Sequence, residues 1–161
     1  MLRTIEFLAL SLWLGSDVLL SFVVAPGAFR VLAPNRDAAG AVVGFSLTRM
    51  HLGGMALGIL LLLARLARTR QFASLISPAA LCVVLMVVLT AISQYTVSAK
   101  MAALHVHMGS IQAAAPNSPV LAEFGRLHGI SVSLESGVLL AGIAAMYLMV
   151  RELVGVQGFP G

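Results

Sequence analysis

Four long runs of apolar residues, separated by short polar breaks, set the pattern of this chain. A helix crossing the hydrocarbon core of a bilayer needs about 20 mostly apolar residues. The first run covers about residues 5–25 and ends at Pro26-Gly27, and the second covers about 52–64. The second is short by itself, but residues from Ala38 onward read as a helical lead-in. The third covers about 78–95 and the fourth about 129–150. No alternating period competes with these runs, and no internal repeat is visible. The pattern predicts an all-α, integral-membrane four-helix bundle forming a single domain over residues 1–161.

Local chemistry marks the boundaries. Ser77-Pro78 and Ser118-Pro119 each offer an N-cap followed by proline at the first helical position. Pro34-Asn35-Arg36-Asp37 reads as a turn, with Asp37 as the N-cap of the next helix. No Pro or Gly intervenes between Tyr95 and Gly109, and Val97, Met101, Leu104, Met108 and Ile111 keep a helical stripe. Val42 and Phe45, and Leu121, Phe124 and Leu127, offer matching apolar surface. Helices of about 30 residues would be about 45 Å long, against a hydrocarbon core of about 30 Å. The expectation is a bundle that rises beyond one membrane face.

Composition agrees with this picture. Hydrophobic residues make up 60% of the chain and charged residues only 10%, against roughly 25% charged in soluble domains. The net charge of +4 comes from basic residues at the ends of apolar runs. It therefore points to membrane topology and lipid headgroups, not to nucleic acid. Arg65, Arg68 and Arg70 crowd the connection between the second and third runs, with Arg3 and Arg151 on the same side. Arg30, Arg36, Arg49, Lys100 and Arg126 fall on the other. The dense loop predicts cytoplasmic termini, in a multi-pass protein of a bacterial-type inner membrane, with the projecting part extracytoplasmic. The first run, following Arg3, reads as a signal anchor. Cys82 is the lone cysteine, which leaves no intrachain disulfide or Cys-pair metal site.

Against this apolar background the polar residues stand out. A charge near the bilayer centre costs about 2.5–3.5 kcal/mol on insertion scales, and such residues usually face a bundle interior. Asp17, Arg49, His51, Gln94, Lys100, His128, Ser131 and Glu135 all fall in the outer half of the predicted bundle. His128 and Glu135 are seven apart, about 20° from the same helix face and about 10.5 Å along the axis. Gln94, Ser98, Met101 and His105 form one stripe, and Trp13, Asp17 and Ser21 another. Two readings stand side by side: structural hydrogen bonding between helices, or a site that binds or passes a small cation or proton. His51 and His128 come from different helices. Together they could ligate haem b, or with Asp17 or Glu135 a metal ion. His105 and His107, two apart, face different directions on a helix. A third reading makes the projecting bundle an interface for a membrane-protein partner or a second copy. No P-loop, GxSxG, HExxH, CxxC or GxGxxG motif appears, so nothing points to an enzyme. Gly54 and Gly58 form a small-xxx-small face for close helix approach, with Gly137 and Gly142 serving the last helix. The eight Met residues are dispersed, which suits core packing better than copper binding.

Trp13-Leu14-Gly15, then Ala25-Pro26-Gly27-Ala28-Phe29-Arg30-Val31-Leu32, and Phe124-Gly125-Arg126-Leu127-His128-Gly129-Ile130-Ser131 resemble the transmembrane protein 205-like family. The resemblance implies a four-helix membrane protein whose biochemical role is largely undefined. It makes Trp13, Gly15, Pro26, Phe29, His128, Gly129 and Ser131 the motif positions. A more distant likeness is to copper-resistance-D-like and related haem-handling four-helix membrane proteins, which share a Trp-x-Gly first helix. This chain has no first-helix histidine to match them.

Overall fold

The computed structural model describes residues 1–110, 113, 115 and 117–157. Ile111, the last position of the predicted stripe, lies outside them, as do residues 158–161. Four helices are long and apolar enough to cross a membrane. They are α1 (Leu2–Val31), α2 (Arg36–Thr69), α3 (Pro78–Val106) and α4 (Pro119–Gly155). They run up and down in turn, so both ends of the described chain and the 70–77 connection share one end of the bundle. Helix α1 packs chiefly on α2 and α3 chiefly on α4, and contacts between α2 and α3 and between α1 and α4 close the bundle.

The helix ends follow from local chemistry. Asn35, not Asp37, caps α2: its side chain accepts from the Ala38 backbone N–H at 2.9 Å. Asp37 lies inside the first turn and accepts from the Ser110 hydroxyl instead. Helix α2 closes on Arg70, in the left-handed region at φ 54°. A single 3-10 turn over Phe72–Ile76 then leads to Ser77, whose hydroxyl accepts from Ala80 N–H ahead of Pro78. Gly109, at φ 70°, ends the third helix.

Pro26 was expected to end the first helix, yet α1 continues to Val31. Proline has no N–H, and its ring crowds the carbonyl four residues back. The preceding segment, Leu20–Val24, is a π-helical turn, and such a widened turn makes room for the proline without breaking the helix. The third helix carries a second π turn at Ser93–Ser98.

At 34 residues, α2 is about 51 Å long, and α4 with 37 residues about 55 Å. Both exceed the hydrocarbon core of about 30 Å. Only 28–39% of the most apolar window of each helix is buried within the protein. Leu8, Leu12, Phe22, Ile59, Leu63, Leu85, Val88, Leu140 and Ile143 point outward. That outward belt suits a bilayer, where lipid covers it.

Trp13 organises the interior. It is buried with Leu10, Leu61, Val83, Met86, Val138 and Ala145. Its indole lies flat against the backbone of α2, where Gly54 and Gly58 leave space. A Cβ on Gly54 would come within 2.3 Å of Trp13 Nε1, and one on Gly58 within 2.6 Å of Trp13 Cζ3. The small-xxx-small face is thus a slot for one aromatic ring. Gly142 does similar work on α4, where a Cβ would meet Leu14 at 2.3 Å. Overfilling a packed interior costs about 1–3 kcal/mol. Gly54→Ala should therefore lower the thermal unfolding temperature in detergent, and adding Trp13→Leu should return part of the loss relative to Trp13→Leu alone. Equal destabilisation by Gly54→Ala in both backgrounds would show that the ring does not fill the slot.

Candidate polar site between the helices

Halfway along the bundle, toward the end away from the termini, the apolar packing gives way to a polar cluster drawn from all four helices. His51 on α2 is fully buried. Its Nδ1 lies 2.8 Å from Gln94 Oε1 on α3, and its Nε2 lies 2.7 Å from Glu135 Oε1 on α4. The same Glu135 oxygen accepts from the Ser93 hydroxyl at 2.9 Å. On α1, Asp17 is 1% exposed, and among the described residues its side chain has one hydrogen bond, a long one from the Ser21 hydroxyl at 3.5 Å. Asp17 lies close enough to Glu135 and His51 for their charges to act on one another.

The π turn explains how two consecutive residues, Ser93 and Gln94, serve one cluster. Neighbours on an α-helix diverge by about 100°. The widened turn that begins at Ser93 reduces that divergence, so Ser93 reaches Glu135 while Gln94 reaches His51. Such turns are frequent at functional sites.

His51 stands between two oxygens. Only N–H groups bond well to both, so this arrangement is that of an imidazolium donating to a carboxylate and an amide carbonyl. A neutral ring would need the Gln94 amide turned to present its NH₂. Several buried polar atoms around the cluster have no partner among the described residues: Trp13 Nε1, Asp17 Oδ2, Thr90 Oγ1 and Glu135 Oε2. Native interiors rarely leave such atoms alone.

With this geometry in place, comparison with known families gives one match. The profile described as a domain of unknown function, DUF4149, matches residues 8–110. The chain belongs to the DUF4149 family. No curated protein and no solved structure matches the chain. The matched region holds Trp13, Asp17, His51, Ser93 and Gln94, whereas Glu135 lies beyond it.

Other residues singled out in the sequence fall elsewhere in this DUF4149 protein. Arg49 is exposed and stacks over Phe45, 5.2 Å from the ring centroid. Lys100 is exposed, beside a shallow groove with Leu104 and Glu123. Neither joins the cluster. His128 and Gly129 are exposed as well, while Ser131 is buried one turn from Glu135. The expected pairing of His51 with His128 therefore does not form: both His51 nitrogens are taken by Gln94 and Glu135. Among the described residues no group of three His, Cys, Asp or Glu is placed to hold a metal ion. Of the motif positions, Trp13 is buried beside the cluster, whereas Gly15, Pro26 and Phe29 are exposed.

A second polar layer lies at the termini end. Glu6 on α1 is 1% exposed and receives Arg68 of α2 through Nε at 2.6 Å and Nη2 at 3.2 Å. Arg65 donates through Nη2 to both oxygens of Glu152 on α4, at 2.7 and 2.8 Å, and through Nε to the Ser74 carbonyl. Its Nη1 stands 3.7 Å from Glu6. Two arginines that looked like topology signals are thus interior cross-links between α1, α2 and α4. The sequence held a hint of this: Glu6 and Glu152 lie at the same end of antiparallel helices as Arg65 and Arg68.

Removing one partner of a buried ion pair costs about 3–5 kcal/mol, because the other charge is stranded. Exposed pairs contribute about 0–1 kcal/mol. Glu6→Ala should therefore strongly lower thermal stability in detergent. Glu123→Ala, which loses only the exposed pair with Arg126, should change it little. Equal small effects would show that Glu6 is dispensable.

Proposed function

We infer that this membrane protein binds and passes a small cation, most simply a proton, through the cluster of Asp17, His51, Gln94 and Glu135. The observation that carries the reading is His51 held between Gln94 and Glu135 in a buried position, with Asp17 close by. Ionisable groups inside a membrane bundle usually mark ion or proton paths. The finer likeness to the transmembrane protein 205-like family belongs to this reading, and rests on the Trp13-Leu14-Gly15 and His128-Gly129-Ile130-Ser131 motifs. In sealed vesicles carrying the purified protein, a pH gradient should collapse faster than in empty vesicles. Asp17→Asn and Glu135→Gln, which keep side-chain size, should each slow that collapse at least tenfold. Wild-type rates in both variants would remove this function.

The same reading sets the termini and the 70–77 connection in the cytoplasm, with the cluster nearer the opposite face. Arg3, Arg70 and Arg151 support this orientation, and Arg65 and Arg68, although paired with Glu152 and Glu6, keep the charge of that end positive. The lone cysteine makes it easy to test in a Cys82→Ala background. In intact cells, Asn117→Cys should react with a membrane-impermeant maleimide and Phe72→Cys should not. The reverse pattern would invert the topology.

A further inference from the structure

We propose that Asp17 and Glu135 together hold one exchangeable positive charge, a proton carried on Asp17 and shared with Glu135. This deepens the reading above and rests on the same cluster, but it concerns occupancy, not passage. Three observations carry it.

The first is charge. With the Gln94 amide oxygen turned toward His51, the ring donates from both nitrogens, to Gln94 and Glu135, and the cluster then holds one imidazolium and two carboxyl groups. Two ionised carboxyls would leave one negative charge over, in an interior too poor in solvent to hold it unpaired. Among the described residues no other ionisable side chain joins them: α1 supplies Asp17, α2 His51 and α4 Glu135, while α3 supplies the neutral Thr90, Ser93 and Gln94. One added positive charge balances the cluster, and a divalent cation would overshoot.

The second is the division of partners between the two acids. Glu135 Oε1 accepts from both His51 and Ser93, the environment of an ionised carboxylate. Asp17, almost wholly buried, has among the described residues only the 3.5 Å hydrogen bond from Ser21. Asp17 is therefore the acid that carries the proton.

The third is the pair of vacant oxygens. Asp17 Oδ2 and Glu135 Oε2 are both buried and without hydrogen-bond partners among the described residues. A protonated Asp17 Oδ2 becomes a donor, and Glu135 Oε2 is the acceptor left open for it. No covalent bond other than O–H is made or broken.

The four remaining acids are accounted for otherwise. Glu6 and Glu152 are paired with arginines, Asp37 accepts from Ser110, and Glu123 is exposed and paired with Arg126. An infrared spectrum of the purified full chain in detergent at neutral pH should therefore contain a protonated-carboxyl C=O stretch, sensitive to deuterium exchange. Asp17→Asn should abolish that band, and Glu135→Gln should shift it without removing it. Sodium chloride and choline chloride titrations separate the two sources of charge. A band unmoved by either salt means a proton. A band removed by sodium but not by choline means that a monovalent metal cation takes the same place, and the one-charge site stands. No band with or without salt, or a band that survives in Asp17→Asn, overturns the proposal. If Asp17→Asn does not fold, the wild-type band, its salt response and the Glu135→Gln shift decide the matter. A band without proton flux would end the transport reading alone; flux without a band would end this one alone.

Discussion

Inside a bilayer a buried polar group can bond only to the protein or to a trapped ligand, and the whole arrangement of these helices follows from that constraint. Apolar packing gives membrane helices little preference for one register over another, because lipid is as apolar as leucine. The two polar layers supply the register. Glu6 and Asp17 lie eleven residues apart on α1, about 16.5 Å at helical rise. On α2, Arg65 and His51 lie fourteen residues apart, about 21 Å, and on α4, Glu152 and Glu135 lie seventeen apart, about 25.5 Å, and the long side chains span the difference. The termini-end pairs join α1, α2 and α4, and the inner pairs join α2, α3 and α4, so sliding α2 or α4 by one turn would break pairs at both levels together. Between them sits the Trp13 slot, where Gly54 and Gly58 bring α1 and α2 close. Buried ion pairs are weak evidence for net stability, but their best-attested use is to specify register. Here the geometry fits that use.

The two π turns belong to the same logic. One lets α1 carry Pro26 without a break, and with it the helix reaches Val31. The other allows Ser93 and Gln94 to act on two different partners. A regular α-helix would have turned one of them toward lipid, where an amide or hydroxyl has nothing to bond. The extra residue in the turn is the local cost of a cluster that needs two polar groups from one helix at one level.

The helices and their approximate limits were legible because membrane insertion writes hydropathy directly into sequence. Ser77-Pro78 was legible for a similarly local reason, since capping involves residues three apart. The expected stop at Pro26 misled, because a π turn upstream leaves no simple mark on composition. Asp37 lost the N-cap to Asn35, two positions earlier in the same polar turn. In the site, Asp17, His51, Gln94 and Glu135 were found from depth alone. Depth could not separate them from Arg49, Lys100 and His128, which share the level but lie on outer faces. That distinction depends on helix rotation, and rotation is set by packing partners that a single sequence does not display. Ser93 was missed because its neighbour Gln94 already occupied the inward stripe, and regular helical spacing forbids both. Glu6 and Glu152 were missed for the opposite reason: they lie near helix ends, where charges are cheap and attract no notice.

Comparing the two layers sharpens what each does. At the termini end acids and bases match in number, and each carboxylate has a guanidinium within hydrogen-bond reach, three of their four oxygens at 2.8 Å or less. One atom of that layer, Arg65 Nη1, is buried without a hydrogen-bond partner among the described residues and stands 3.7 Å from Glu6. The inner layer differs in its balance of charge. It has one base for two acids, and oxygen atoms on both acids remain vacant although they lie out of reach of bulk water. If the inner layer served only to register the helices, pairing like that of Glu6 with Arg68 would do so more completely. Both layers cross-link helices, but only the inner one sets two acids against one base, and the proposed cation site rests on that imbalance.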